Sequence, residues 1–278
     1  MIYAIFQKQI LGWYHVHGRH DLPWRRTRDP YHILVSEIML QQTQVDRVRS
    51  KYLEFLKTFP NIETLAKAPT AKLLRMWKGL GYNRRALNLQ RAAQSIMREY
   101  GGKVPRTADA LESLPGVGPY TARAVRVFAW NAREVVIETN IRRVYIHYFF
   151  PAKGRQGIHD RQLLPVIEKT MPRQNAREWY WALMDYGAGA FKGSENPNRH
   201  SKHYARQSRF LGSQRYARAK LLDFVLAGSK NVTPAVIQTY MARDPHLADW
   251  QVRATSILAM LAAEGFIERT KNGWRAGR

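Results

Sequence analysis

Cysteine is absent from this 278-residue chain, and its absence excludes several kinds of site. The chain can form no disulfide, no thiolate zinc site and no cysteine-ligated iron–sulfur cluster. His200 and His203 have a spacing that suits a metal ion, but two histidines without further ligands are more often surface residues. We therefore expect no metal site and no cofactor.

Long apolar runs and acidic side chains are also scarce. No stretch of about 18 apolar residues occurs, and the first residues lack the charged start, apolar core and cleavage site of a signal peptide. We therefore expect a cytoplasmic protein with no membrane-spanning segment. Asp and Glu number 21 against 45 Lys and Arg, a net charge of +24. This excess favours a polyanionic partner and salt-dependent association, although an anionic membrane surface would also suit it.

Apolar side chains, by contrast, are plentiful and are spaced as in helices. Hydrophobic residues make up 45% of the chain and aromatic residues 12%, enough for the cores of two or three compact units. Apolar residues recur three and four positions apart between Pro, Gly and capping residues, which predicts a mostly α protein. One such helix should open at Asp29-Pro30 and run to Leu40.

Two connections between predicted helices carry side chains that could reach a partner. Thr43-Gln44-Val45-Asp46 resembles a capping box that starts a helix, so Gln41 and Gln42 should lie at a helix junction. Tyr82 follows Gly79-Leu80-Gly81 and should lie in a short loop between helices.

A glycine-rich turn at residues 114–121, Leu-Pro-Gly-Val-Gly-Pro-Tyr-Thr, joins two further helices. Thr107 can N-cap the first of them, and Pro119 suits the first position of the second. Gly116 and Gly118 let a phosphate approach the backbone with no side chain in the way. The stretch therefore predicts a helix-hairpin-helix that binds DNA, with an ordinary helix corner as the alternative. The residues predicted to contact DNA are Leu114, Gly116, Val117 and Gly118.

A basic connector at residues 192–212 precedes the last part of the chain. It is poor in aliphatic residues, and its cations continue into the next helix, which we predict at 219–226. The cations of this region are Lys192, Arg199, Lys202, Arg206, Arg209, Arg215, Arg218 and Lys220.

The C-terminal residues predict a winged-helix-like domain at 213–278. After the helix at 219–226, Thr233-Pro234 should open a second helix, and Asp249 should cap a third that Gly265 closes. Asn272-Gly273 then marks a hairpin. Three helices and a basic hairpin resemble a winged helix that binds DNA; a helical oligomerisation cap with a frayed tail is the alternative.

Two carboxylates are candidates for acid and base chemistry. Glu37 lies among apolar helix residues that could keep it protonated near neutral pH. Glu138 directly precedes Thr139 and Asn140, the predicted caps of a helix, and a carboxylate at a helix N-terminus tends to stay ionised. Hydrolysis of an N-glycosidic bond in flipped DNA needs such an acid and such an anion. The alternatives are a solvated helix residue and a helix cap, and spacing alone does not show that the two meet.

Several motifs together resemble the adenine DNA glycosylase (MutY) family, which belongs to the helix-hairpin-helix superfamily of endonuclease III. The resemblance covers about residues 10–190. Besides the hairpin, it rests on Trp13-Tyr14, Leu22-Pro23-Trp24-Arg25, Asp29-Pro30-Tyr31, the run from Val35 to Val45 and Trp77-Lys78-Gly79-Leu80-Gly81-Tyr82. It implies a helix-hairpin-helix glycosylase domain at 1–212, with a six-helix lobe at about 25–130 and a second lobe formed by 1–24 and 131–212.

The resemblance implies a role for each residue that matches a family motif. Glu37 falls on the acid that protonates a ring nitrogen of the flipped adenine. Gln42, next to Gln41, and Tyr82 fall on residues that enter the DNA stack; surface exposure and loop packing are their alternatives. Tyr120 falls where lyase members carry a nucleophilic lysine, so strand cleavage through a Schiff base is not expected, although Tyr120 could simply pack. Arg142 and Arg143 are predicted to contact DNA.

Three features depart from the family pattern. Glu138 stands where the family has aspartate, and its extra methylene would move the carboxylate by roughly 1.5 Å. The four cluster-binding cysteines are replaced, and the C-terminus resembles a winged helix instead of a domain that recognises 8-oxoguanine. The positions that correspond to the cysteines are near Phe191, Asn198, Ser201 and Gln207.

We therefore predict a clusterless, monofunctional DNA glycosylase that acts on double-stranded DNA containing a mismatch or lesion, with mispaired adenine as the leading substrate. A glycosylase for thymine, uracil or a damaged base is the first alternative. A catalytically silent DNA-binding protein is the second.

Overall fold

The computed structural model describes residues 2–150, 157–191, 196–204, 209–228 and 231–277. Within these ranges the protein is mostly α-helical, as predicted, with one two-stranded sheet. No helix among them is both long and apolar enough to span a bilayer.

The α-helices are α1 Ile2–His17, α2 Pro30–Leu40, α3 Val45–Thr58, α4 Ile62–Ala66, α5 Thr70–Trp77, α6 Arg84–Glu99, α7 Ala108–Glu112, α8 Pro119–Trp130, α9 Thr139–Phe149, α10 Asp160–Thr170, α11 Ala176–Gly189, α12 Gln214–Ala227, α13 Pro234–Ala242 and α14 Ala254–Ala263. The strands are β1 Ile267–Thr270 and β2 Gly273–Ala276. Short 3-10 helices are found at Pro23–Arg25, Pro197–His200 and Pro245–Arg253.

Packing divides the chain into two compact units, one from residues 1–38 and 104–206 and the other from 39–103 and 207–278. These two units have other boundaries than the predicted domains, because residues 213–278 belong to the same unit as residues 39–103. The predicted domain boundary at residue 212 and the predicted lobes stay predictions.

In the first unit an aromatic core holds α9, the helix that Glu138 precedes. Phe6 of α1 meets Trp179 of α11 edge to face at 5.7 Å between ring centroids, and it meets Tyr145 of α9 at 5.6 Å. Tyr145 and Trp179 are fully buried. Burial of such rings contributes about 1.5–3 kcal/mol each, so the start of α9 is held by well-packed aromatic contacts.

In the second unit, α3 and α5 pack through Phe55 and Trp77, whose rings lie edge to face at 5.9 Å. Both side chains are fully buried. The Trp77 indole N–H also donates to the carbonyl of Gly81 at 3.1 Å. The core of α5 thereby fixes the loop that carries Tyr82.

The C-terminal helices differ from the prediction at two places. Helix α12 begins at Gln214, well before residue 219, because Ser213 caps it by accepting from the Tyr216 N–H at 3.3 Å. Arg215 and Arg218 therefore belong to a helix. Asp249 caps no helix, because it lies inside the 3-10 helix Pro245–Arg253, and α14 starts only at Ala254. Lys192 and Arg206 of the basic connector lie outside the described residues.

The C-terminal hairpin forms as predicted. Strands β1 and β2 pair antiparallel with Thr270 opposite Gly273. Gly273 is required there, since a Cβ would lie 2.2 Å from the carbonyl oxygen of Val232. Val232, between α12 and α13, bridges Trp274 through two backbone hydrogen bonds of 2.7 and 3.1 Å. Three α-helices with this small sheet make the C-terminal part winged-helix-like.

Candidate active site

Helix α2 carries Glu37 into an apolar environment. Pro30 occupies its first position, and the Asp29 carboxylate accepts from the Tyr31 N–H at 2.8 Å, so this helix starts where the sequence predicts. Glu37 is only 8% exposed, and its apolar neighbours on the helix are almost fully buried. Desolvation first, and the charge of Glu138 second, raise the pKa of Glu37 to about 8. Its carboxyl is therefore mostly protonated at neutral pH.

Tyr120 lies in the first turn of α8 and meets Glu37 directly. Its hydroxyl donates a hydrogen bond to the Glu37 carboxyl. Burial, followed by the nearby charges of Glu37 and Glu138, raises the pKa of Tyr120 well above its ordinary value. Tyr120 thus remains a neutral phenol beside the acid.

Glu138 is the N-cap of α9. Its Oε1 accepts from the N–H groups of Asn140 and Ile141, both at 2.8 Å, and its Oε2 accepts from Asn140 Nδ2 at 3.2 Å. The prediction that Thr139 and Asn140 cap this helix is wrong, because both lie in its first turn. The two readings of Glu138, as a cap and as an active-site carboxylate, are compatible, since it caps α9 and also influences the ionisation of Glu37.

Burial raises the pKa of Glu138, against the direction expected from a helix N-terminus alone. Two backbone N–H groups and the charges of Arg142 and Arg143 oppose that rise. At Glu37 the Tyr120 hydroxyl and the charge of Arg25 oppose the rise, and neither backbone N–H groups nor a pair of arginines are among the causes that act on its pKa. We therefore expect the pair to titrate in order, with Glu138 ionised first.

The helix-hairpin-helix turn is present between α7 and α8. Thr107 caps α7 through the Ala110 N–H at 3.4 Å, and Pro119 begins α8, as predicted. Gly116 has a φ of 79° and is exposed, as is Gly118. Of the other predicted DNA contacts, Leu114 and Val117 are buried, and the Val117 N–H donates to the Leu114 carbonyl. The exposed backbone of the two glycines is thus the accessible part of the turn.

Gln42 and Tyr82 hold backbone conformations that few side chains adopt. Their φ angles are 55° and 46°, in the left-handed region. Tyr82 is 40% exposed, Gln42 is exposed and Gln41 is half-buried. The predicted capping box is wrong, because Gln44 is the N-cap of α3 without a side-chain bond, and the Thr43 hydroxyl donates to the Leu80 carbonyl at 3.1 Å instead.

Arg85 joins these two connections. Its guanidinium is buried and donates to the backbone carbonyls of Met39 at 2.9 Å and of Leu80 and Gly81 at 3.0 Å. It also donates to the carbonyl of Gln41. Burial lowers the pKa of Arg85 to about 10, so it stays charged at neutral pH. One cation therefore fixes both the helix junction and the Tyr82 loop.

Arg142 and Arg143, predicted to contact DNA, have protein partners in the structure. Arg142 forms a bidentate ion pair with Asp160, in which both N–O distances are 2.7 Å. Arg143 donates to the Gly187 carbonyl at 2.6 Å and to Asn196 Oδ1 at 3.1 Å. Both hold the start of α9, and their contact with DNA stays a prediction.

Sequence reasoning did not single out Arg25, Asp185 or Arg85. The Asp185 carboxylate is almost fully buried and accepts from Arg25 at 2.7 and 2.9 Å and from Arg19. Arg25 also lowers the pKa of Glu37 slightly. The motif at residues 22–25 contains Arg25, but nothing in it shows that Arg25 forms a buried ion pair with Asp185.

The segment that corresponds to the cluster-binding region is held by hydrogen bonds. Asn198 is buried and donates from Nδ2 to the Thr139 carbonyl at 2.9 Å, while the Ile158 N–H donates to the His200 carbonyl at 2.8 Å. Phe191 packs edge to face on His147, and Gln207 lies outside the described residues. With no thiolate in the chain, these residues do not fit an iron–sulfur cluster. Among the described residues, no three His, Asp or Glu side chains could hold a metal ion.

Comparison with known proteins agrees with this geometry. The family described as HhH-GPD superfamily base excision DNA repair protein matches residues 35–167. An adenine DNA glycosylase of Mycolicibacterium smegmatis is 36% identical over 286 residues, which cover 97% of this chain and 95% of that protein. An adenine DNA glycosylase of Buchnera aphidicola is 38% identical over 68% of this chain and 53% of its own length. The chain thus spans about half the length of this second relative.

A solved structure supports the same fold. A thermostable thymine-DNA glycosylase superposes with a TM-score of 0.59 and 32% sequence identity, over 67% of this chain and 86% of that one. Because the mycobacterial relative is matched over almost its whole length, the chain belongs to the adenine DNA glycosylase family of the HhH-GPD superfamily, a family of DNA N-glycosylases.

Proposed function

We propose that this protein removes adenine from mispaired positions in double-stranded DNA by hydrolysis of its N-glycosidic bond, without cutting the strand. The observation that carries the proposal is Glu37, a buried carboxyl with a pKa of about 8 next to Glu138. A purine leaves readily only when a ring nitrogen is protonated, and Glu37 is a proton donor suited to that step.

The reaction follows from the arrangement of the two carboxyl groups. Glu37 protonates a ring nitrogen of the flipped adenine, and the bond between the base and the sugar then breaks with its electron pair on the base. The ionised Glu138 stabilises the positive charge that develops on the sugar. Water adds to the sugar carbon and gives up a proton, which restores the protonated acid. The products are free adenine and an abasic site.

Tyr120 supports base removal without strand cleavage. A lyase step needs an amine that forms a Schiff base with the opened sugar, and a phenol cannot supply one. The hydrogen bond from Tyr120 to Glu37 instead orients the acid. We further propose that no iron–sulfur cluster takes part, since the chain contains no cysteine.

Two separate features suit contact with the duplex. The exposed glycines of the hairpin, Gly116 and Gly118, suit a phosphate of the backbone. Gln42 and Tyr82, held in strained conformations by the Arg85 network, suit insertion into the base stack near the target.

Removal of thymine or uracil opposite guanine is the second candidate. Its support is the 32% identity to a thermostable thymine-DNA glycosylase. The protonated Glu37 favours adenine, because a pyrimidine leaving group has less need of an acid directed at a purine ring nitrogen.

Single-turnover excision on four duplexes tests the proposal. The duplexes carry A opposite 8-oxoguanine, A opposite G, T opposite G and U opposite G, and alkali reveals abasic sites. We expect cleavage only at A, and only after alkali. Cleavage only at T or U would replace the substrate, and cleavage without alkali would contradict the monofunctional assignment.

A further inference from the structure

Helix α12 of the C-terminal part lines a groove together with the loop that carries Tyr82. Both belong to the second compact unit, and the groove has a volume of about 820 Å³. Its described lining contains seven Lys or Arg side chains and two carboxylates. Five of these cations are Lys78 and Arg84 near the loop and Arg215, Arg218 and Lys220 on α12.

The helix that a winged helix normally places in the major groove is unsuited to that role here. In this fold the third helix usually reads DNA, and α14 occupies that position. Its ten residues, Ala254–Ala263, include no charged side chain. Without cations α14 cannot release counterions from DNA, which supplies essentially all of the affinity in non-specific binding. Positive charge is concentrated on α12 instead.

Two cations of the groove share one carboxylate, and a third contacts the Tyr82 side chain. Arg84 and Arg218 both reach Glu264, at 3.0 and 2.9 Å. Arg215 donates to the Tyr82 hydroxyl at 3.4 Å. Guanidiniums that bind a carboxylate through such paired donors also suit a phosphate, so Arg84 and Arg218 are donors of the kind that binds DNA phosphates.

We infer that α12, and not the exposed face of α14, binds the phosphate backbone of the DNA duplex, on the side where Tyr82 inserts. Arg215 and Arg218 each neutralise a phosphate, and Glu264 holds Arg84 and Arg218 in place in the free protein. The inference rests on the proposed function, because it takes Tyr82 as the inserting residue.

Salt-dependent binding to an undamaged, fluorescently labelled duplex tests the inference. The variant Arg215→Gln/Arg218→Gln loses two cations of the groove, and the matched control Arg269→Gln/Lys271→Gln loses two cations of the hairpin. Each lost phosphate contact should lower the slope of log affinity against log salt by about 0.9. We expect the groove variant to lose about 2 from the slope and to bind at least about tenfold more weakly at 0.15 M salt, with a control slope equal to that of the wild type.

Equal losses in the two variants, or a loss in the hairpin variant alone, would overturn the inference. Arg215→Gln alone, which leaves the pairs of Glu264 intact, should lose about 1 from the slope and so guards against misfolding of the double variant. Glu264→Gln keeps an oxygen that can accept from the two guanidiniums and removes a negative charge from the groove, so it should bind a few-fold more tightly; weaker binding would contradict the assignment. Since no base is excised in this assay, failure of the proposed reaction would show separately, as wild-type protein that binds DNA and produces no abasic site.

Discussion

Replacing Glu37 by glutamine should remove a pH dependence of stability that the wild-type protein carries. The pKa of Glu37 is about 8 in the folded protein, against 4.5 for an ordinary glutamate. Between these values the unfolded chain has released a proton that the folded protein keeps. The contribution of Glu37 to stability is therefore fully present below pH 4.5, declines as pH rises and is lost once the pH passes about 8.

The size of the effect follows from the shift. One pKa unit corresponds to about 1.4 kcal/mol, so the whole shift is worth about 5 kcal/mol, of which about 3.5 kcal/mol falls between pH 5 and pH 8. Glutamine is nearly isosteric and does not titrate. The stability of the wild type relative to Glu37→Gln should therefore fall by about 3.5 kcal/mol across this interval.

Urea unfolding at pH 5, 6, 7 and 8 measures this difference, since groups that do not interact with Glu37 contribute equally to both proteins. Glu54→Gln, at an exposed side chain paired with Lys51, should follow the wild type. If wild type and Glu37→Gln changed in parallel with pH, Glu37 would be ionised in the folded protein and the acid assignment would lose its physical basis.

Three further predictions concern the reaction and the Tyr82 loop. Single-turnover excision at saturating protein should decline above pH 8 and be about tenfold lower at pH 9 than at pH 6.5, since Glu37 must be protonated; a rate that rises through this interval would contradict the assignment. Glu138→Asp should keep the melting temperature of the wild type, because aspartate is a good N-cap. It should reduce the rate of excision by about 10- to 100-fold, because the shorter side chain moves the carboxylate by roughly 1.5 Å; faster excision would show that the shorter side chain fits better. Arg85→Lys should destabilise the protein by about 2–4 kcal/mol, because buried carbonyls lose their donors. The control Arg84→Lys, at an exposed position, should change stability by less than about 0.5 kcal/mol. Equal effects of the two variants in thermal unfolding would refute the role of Arg85.

Features with local causes could be predicted from the sequence. Asp29 caps α2 and Thr107 caps α7 because a short polar side chain reaches N–H groups two or three residues away. The hairpin around Asn272 follows from turn chemistry in the same way. Where two local signals compete the prediction failed, since Asp244-Pro245 starts a 3-10 helix before Asp249 can cap an α-helix.

Features that depend on distant residues could not be predicted. Glu37, Tyr120 and Glu138 interact only because the fold brings these three positions close together, and their spacing in the sequence does not show it. The upward shift in the pKa of Glu138 reflects burial, which a helix N-terminus does not reveal. Arg85 reads as a surface charge in a basic sequence, yet its guanidinium is buried among carbonyls.

The most direct test of the account compares wild type with Glu37→Gln in single-turnover excision of adenine opposite 8-oxoguanine, at saturating protein and pH 7. Glutamine keeps the shape of the side chain and removes the acid, so we expect a rate at least about 100-fold lower with unchanged affinity for the duplex. Equal rates would show that Glu37 donates no proton to the base and would contradict the central claim.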